Sequence, residues 1–365
     1  MYKPIHLVKA LGMWNRARRI KKHGFKHYTG SAYDICNQIV KDCWNNSYFH
    51  ASTGHFTDFW LRDFSWCLEP LIRLGYKEEC IKTIKFALDA YSRNNRVTTT
   101  ITKNSYAYDF PNYAADSLPY LIRCIRILAN KDLLYQYENF LNKEIEKYYN
   151  LVIDRRTGLV RKDKNFSSIK DHSMRISPCY SNAMAGMLAV DLNRITILNN
   201  PFKAHNYRRL LWENFWTGSY FLDDLSGKEY IAGDANIFPF WTGLFNEKPL
   251  LKYAINKIRE AGLDKPFPLK YTGFLNEDIK MITANKFAYN YEGTAIWTHM
   301  GPIYIKLVKE ISHGKAKEYI EKYTQITEKY GNYLEVFESN GQPYKSRFYY
   351  SDEGMLWSAM FLDLL

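Results

Sequence analysis

The sequence predicts an all-α protein whose helices pair into a closed ring, an (α/α)6 toroid. Three observations carry that expectation. Apolar residues recur at helical spacing over about a dozen segments, whereas only Val97-Thr98-Thr99-Thr100-Ile101 reads as a strand. No Pro- or Ser-rich linker divides the 365 residues. Six connections that lead into helices are rich in Trp, Tyr, Asp, Arg and Asn, while those between them are ordinary. A ring of alternating inner and outer helices gathers six such loops at one mouth; an open array spreads them along a face. No repeat of fixed period is visible, which argues against a regular solenoid.

In chain order, the periodicity places helices at 30–45, 64–75, 77–93, 116–129, 131–149, 177–195, 201–219, 236–246, 247–261, 293–312, 315–331 and 352–365. Gly75, Gly262 and Gly331 stand where helices would end, because a left-handed C-terminal residue suits glycine. Ser177-Pro178 and Asn200-Pro201 read as a cap followed by Pro in the first helical position. The six unusual loops are His55 to Trp66, Tyr106 to Asp116, Lys170 to Asn182, Tyr230 to Trp241, Tyr289 to His299 and Phe348 to Trp357. Residues 29–365 are expected to form a single domain, preceded by a basic N-terminal arm, 1–28.

Aromatic residues make up 16% of the chain, with 30 Tyr, 21 Phe and 9 Trp. A large core accounts for most of them, but Tyr and Trp also offer the flat face and polar tip that suit sugar rings. The formal net charge is +12, and part of it lies in Arg16, Arg18, Arg19, Lys21, Lys22 and Lys26. Such a run can meet nucleic acid or an anionic membrane; a solvated terminal face is the more ordinary explanation, and no nucleic-acid partner is expected. No apolar stretch is long enough for a membrane span or reads as a secretory signal. Cys36, Cys43, Cys67, Cys80, Cys124 and Cys179 form no CxxC pair and sit mostly in apolar helical runs. They read as buried thiols of a reducing cytoplasm.

Two segments supply carboxylates in polar or aromatic surroundings: Asp171 within Lys170-Asp171-His172-Ser173-Met174-Arg175, and Glu335 within Tyr333-Leu334-Glu335-Val336-Phe337. Hydrolysis of a glycosidic bond needs one protonated carboxyl to release the leaving oxygen and one ionised carboxylate to act on water or the sugar carbon. An acid in the first role needs a raised pKa, which the cationic neighbours Lys170 and Arg175 oppose unless they point elsewhere. Glu338 and Glu292 are alternatives to Glu335. In the loop Asp58 to Trp66, Arg62 and Asp63 can hold sugar hydroxyls while Trp60 or Trp66 stacks. Asp63 could equally cap the following helix. Arg175, Asp234, Trp297, His299 and Trp357 complete the candidate substrate contacts. His23 and His27 have HxxxH spacing without the adjoining Glu of a zinc protease. No metal site is expected, and neither a GxSxG, P-loop nor GxGxxG motif occurs. Nothing calls for a cofactor.

These residues give the chain a resemblance to inverting α-glycosidases of the (α/α)6 type, above all glycoside hydrolase family 63 and its trehalase relatives. Asp171-His172-Ser173-Met174-Arg175 resembles that family's Asp-Asn-Ser-Pro-Arg segment, whose Asp is the general acid. Trp297-Thr298-His299-Met300-Gly301-Pro302-Ile303-Tyr304 resembles its Trp-Arg-Gly-Pro-Ile-Trp stretch at the sugar site. Tyr333 to Gly341 resembles the segment carrying the general base, and Phe348 to Leu365 the closing helix. Trp60-Leu61-Arg62-Asp63 is closer to glucoamylase-type enzymes. The resemblance implies an inverting hydrolase of α-glucosides or α-mannosides in a small or short-chain sugar, with Asp171 as acid and Glu335 as base. A non-catalytic carbohydrate-binding protein on the same ring and a sugar epimerase are the alternatives.

Overall fold

The computed structural model describes residues 4–274 and 288–365; residues 1–3 of the expected N-terminal arm lie outside it. Thirteen helices are seen among the described residues: α1 (Pro4–His23), α2 (Ala32–Asp42), α3 (Leu61–Arg73), α4 (Lys77–Asn94), α5 (Ser117–Leu128), α6 (Lys131–Val152), α7 (Cys179–Arg194), α8 (Tyr207–Phe215), α9 (Gly233–Trp241), α10 (Lys248–Glu260), α11 (Met300–Lys309), α12 (His313–Tyr330) and α13 (Ser358–Leu362). Helices α3, α5, α7, α9, α11 and α13 contact one another in succession, and α13 returns to α3. This closed inner ring is wrapped by α2, α4, α6, α8, α10 and α12. The protein is therefore an all-α (α/α)6 toroid.

The two rings differ as their surroundings require. Inner helices touch neighbours on all sides and are buried nearly all round: every residue of α7 from Cys179 to Ala189 is buried. Outer helices bury one stripe, as Ala316, Tyr319, Tyr323 and Thr327 do in α12. Side chains cap the outer helices α2, α6, α8 and α12 through Ser31, Asn130, Asn206 and Ser312. None of the six inner helices has a side-chain cap. All six loops singled out by composition precede inner helices, so the uncapped N-termini share one end of the ring.

Several boundaries differ from expectation for a common reason: the approaches to inner helices are spent on positioning. The span 293–312 begins with β4 (Ile296–Trp297), and helix starts only at Met300. The span 352–365 is helical only from Ser358 to Leu362. Pro178 occupies the N-cap of α7 rather than its first turn, and α8 starts at Tyr207, capped by Asn206 and well past Pro201. The basic run, Lys26 apart, belongs to α1, where Ala17, Ile20 and Arg16 are buried. Two small antiparallel sheets brace the mouth: β1 (Phe59–Trp60) with β2 (Thr100–Ile101) and β3 (Ala107–Tyr108), and β4 with β5 (Val336–Phe337). All six cysteines are free and buried. No helix among the described residues is long and apolar enough to cross a membrane.

A buried ionic square anchors the approach to α7. Lys170 Nζ lies 3.2 Å from Asp223 and 3.1 Å from Asp234; Arg175 Nη1 lies 3.1 and 2.9 Å from the same two carboxylates. Tyr230 donates to Asp223 at 2.5 Å and Arg175 to the Ser168 hydroxyl at 2.9 Å. Two cations balance two anions, and the loop between Lys170 and Arg175 is thereby pinned to α9. Removing one anion leaves the cations undercompensated in a fully buried site. Asp234→Ala should therefore cost about 3–5 kcal/mol in denaturant unfolding, and a loss below about 1 kcal/mol would contradict this role.

Candidate active site

A cavity of about 1320 Å³ opens at the mouth of the ring. Trp60, Arg62, Asp63 and Trp66 reach it from the start of α3, and Asp171 and His172 from the approach to α7. Glu292, Trp297 and His299 line it from the approach to α11; Glu335, Tyr349 and Trp357 come from the connection between α12 and α13. Of the candidate residues, Arg175 and Asp234 stand apart, inside the ionic square, and the Tyr230 to Trp241 loop contributes nothing to the lining. Glu338 lies outside it too, in a turn where its N–H donates to the Gln342 carbonyl at 2.8 Å. The other side of the cavity is α1, through Lys9 to Arg16 and Arg19.

β1 ends at Trp60 and α3 starts at once, so Arg62 and Asp63 occupy its first turn. Arg62 donates to Asp116 from Nε at 2.7 Å and Nη2 at 3.2 Å, and to Asp171 from Nη1 and Nη2 at 3.3 Å each. The Ser167 hydroxyl lies 2.9 Å from Asp171 Oδ1. The cationic neighbours in sequence, Lys170 and Arg175, are both turned away into the ionic square. Burial raises the Asp171 pKa; the Arg62 charge opposes this, and the nearby Glu292 carboxylate adds to it. The net shift is upward. Glu292 accepts from His172 N–H at 3.0 Å and the Ser173 hydroxyl at 2.9 Å, tying the Asp171 loop across the cavity.

Asp63 accepts from Trp357 Nε1 at 3.0 Å and makes no cap to α3. Burial pushes its carboxyl up to about 7, against the pull of Arg62. Trp66 stacks on His299, with ring centroids 4.5 Å apart and planes 3° from parallel, and donates to Tyr120. Burial, then the Arg62 charge, holds the His299 imidazole well below its ordinary pKa. It is a neutral ring between Trp66, Trp297 and Trp357.

Glu335 is placed by the β4–β5 pair, where Trp297 faces Val336 and Thr298 N–H donates to the Glu335 carbonyl at 3.1 Å. Its carboxylate accepts from the Tyr291 hydroxyl at 2.5 Å, the Tyr349 hydroxyl, and Asp352 N–H at 2.9 Å. Burial raises its pKa; the His55 charge and the two phenol bonds pull downward while Asp352 adds to the rise, leaving a net upward shift. Sequence reasoning did not single out Tyr291, Tyr349, Asp116 or Asp352. The only available signal was the aromatic and acidic richness of their loops. Among the described residues, no cluster of His, Cys, Asp or Glu has the arrangement to hold a metal ion.

No protein-family model matches the sequence, and no curated protein matches it. Solved structures do. A glycosidase aligns over 98% of this chain and 97% of its own with a TM-score of 0.68 at 12% identity. A bacterial glucoamylase complexed with acarbose covers 91% of this chain and 54% of its own, with a TM-score of 0.64 at 13% identity. A family 63 mannosylglycerate hydrolase from Thermus thermophilus, in complex with glucose, covers 90% and 98%, with a TM-score of 0.61 at 11% identity. The chain shares the (α/α)6 fold of these glycosidases.

Proposed function

We propose that the protein is an inverting glycoside hydrolase that cleaves an α-glucoside or α-mannoside in a small or short-chain sugar. The observation that carries this reading is that Asp171 and Glu335 enter one aromatic-lined cavity from separate connections, in different hydrogen-bond environments. Asp171 has few donors besides Arg62 and an upward-shifted pKa, as a proton donor needs. Once it has protonated the leaving oxygen, Arg62 is already in place to receive the new carboxylate. Burial shifts Glu335 upward as well, but three donors on its carboxylate favour the ionised form that takes a proton from water. Oε1 accepts one bond in the structure, which leaves a lone pair for that water. Trp60, Trp297 and Trp357 supply apolar faces for the ring, while Arg62 and Asp63 supply charged contacts to hydroxyls.

The Arg62–Asp171 contact favours a second reading, since a cation beside the acid also suits a carbohydrate-binding protein that never turns over. Incubation with α-glucosides and α-mannosides separates the two: sugar release of inverted anomeric configuration, followed by proton NMR, supports hydrolysis. Saturable binding with no release supports the binding protein, and formation of an epimer supports an isomerase.

Two predictions follow from the carboxylates. Asp171→Asn and Glu335→Gln should each lower kcat by about 10²–10⁴-fold with sugar binding and melting temperature largely kept. Either variant at near-parental turnover would remove that residue from the chemistry. Asp63 titrates at about 7 when folded against about 3.9 unfolded, so the folded state holds its proton more tightly. Its stabilising contribution is complete below pH 4 and is lost as pH rises through 7. Asp63→Asn keeps the acceptor for Trp357 and lacks that loss. Unfolding free energies of parent and variant should diverge in favour of the variant between pH 4.5 and pH 8, and parallel pH profiles would contradict the assignment.

A further inference from the structure

Glu335 stands at one end of a buried chain of polar contacts that the reaction above does not use. The oxygen of Tyr349, whose hydroxyl donates to Glu335, lies 3.4 Å from His55 Nε2. His55 Nδ1 lies 3.1 Å from Asp352 Oδ1. The Asp352 carboxylate also accepts from the Ser52 hydroxyl and from the N–H groups of His55 at 3.0 Å and Phe56 at 3.2 Å. Arg16 of α1 comes within 3.0 Å of it and also contacts Glu353 at 3.4 Å. Glu335 N–H donates to the Asp352 carbonyl at 3.0 Å, and the Glu335 carboxylate accepts from Asp352 N–H at 2.9 Å, so the Asp352 main chain joins the two ends as well. Gly54 makes the packing possible: a Cβ there would fall 1.8 Å from Asp352 Oδ1.

Counting hydrogens fixes the direction of these bonds. The Tyr291 hydroxyl hydrogen goes to Glu335 Oε1, and that of Tyr349 to Oε2. The Tyr349 oxygen is then an acceptor, which His55 Nε2 can meet only with a hydrogen. The Nε2 hydrogen is therefore what the His55 ring supplies to Tyr349. His55 Nδ1 stands 3.1 Å from the Asp352 carboxylate without a hydrogen bond to it, so Asp352 fixes the ring by its main-chain bond to His55 N–H and by close packing.

We propose that Asp352 and His55 are positioning residues for the general base: Asp352 holds the His55 segment in place, His55 fixes Tyr349, and Tyr349 orients the Glu335 carboxylate. The proposal rests on the reading of Glu335 as the base. Electrostatics run the same way. Burial opposes ionisation of Asp352, but His55 and Arg16 outweigh it and hold the carboxyl below its usual range. At Glu335, His55 is the largest influence working against burial, with Asp352 opposing it and Tyr291 and Tyr349 assisting. Through Arg16, helix α1 becomes part of the apparatus behind the base.

The relay can be tested without turnover. With glutamate carboxyl carbons labelled with carbon-13, the Glu335 resonance is identified by its loss in Glu335→Gln and titrated by NMR. Its midpoint should move to higher pH in His55→Gln and in Tyr349→Phe. In rate measurements the acidic limb of kcat/KM should move upward with it, with kcat at pH 5 down about 10- to 100-fold and KM changed less than about threefold. A fixed Glu335 midpoint overturns the relay whether or not the protein proves to be a hydrolase. A moved midpoint in a protein that releases no sugar sustains the relay and refutes the hydrolase reading. If the variants fail to fold, nitrogen-15 shifts of the parent's histidines decide. His55 should carry a hydrogen on Nε2, toward Tyr349; a ring whose only hydrogen is on Nδ1 overturns the proposal.

Discussion

The guanidinium of Arg62 joins three consecutive entrances to the inner ring. It sits in the first turn of α3, grips Asp116 at the start of α5, and reaches Asp171 on the approach to α7. Tyr180 of α7 donates to the same Asp116 at 2.8 Å, and Tyr180 and Tyr120 hydroxyls meet at 2.9 Å. A charge removed from water must be compensated locally, so the position of Arg62 constrains both carboxylates. Asp116 takes the closer contacts, at 2.7 and 3.2 Å, and Asp171 the longer ones at 3.3 Å. That division is what allows Asp171 to sit beside a cation and still have an upward-shifted pKa.

The remaining charges are sorted by the same rule. Lys170 and Arg175 flank Asp171 in sequence yet are neutralised by Asp223 and Asp234 on its far side, so they hold the loop without adding to the field at the acid. Glu292 spends its oxygens on the His172 N–H and the Ser173 hydroxyl of that loop. On the opposite connection, Glu335 is held by phenols and a peptide N–H, neutral donors that favour the ionised form without forming an ion pair. The uncapped N-termini of the inner helices also present their positive ends to this region, where acidic groups are favoured.

Much of this was legible from the chain. Helix periodicity and the absence of linkers located the paired helices, and loop composition picked out all six approaches to the inner ring. Both carboxylates of the proposed reaction came from short local patterns. What could not be read depends on pairings far apart in sequence. Arg175 and Asp234 look like any loop charges until Asp223 brings them together, and His55 meets Asp352 across 297 positions. The basic segment read as a solvated arm because composition records charge; the carboxylates on which Arg16 and Arg19 close, Asp352 and Glu353, lie more than 330 residues away. Trp60, Trp66, Trp297 and Trp357 were visible as residues, but which face each turns to the cavity depends on the two small sheets and on α13.

A crystal structure of the protein with a bound glucoside or mannoside product tests the central claim most directly. The account predicts a sugar whose anomeric carbon lies between Asp171 and Glu335, with the two carboxyl groups about 6.5–9.5 Å apart and room for one water on the Glu335 side. A spacing of about 5–5.5 Å, which belongs to a retaining mechanism, or a sugar that does not lie between these two residues, would contradict it.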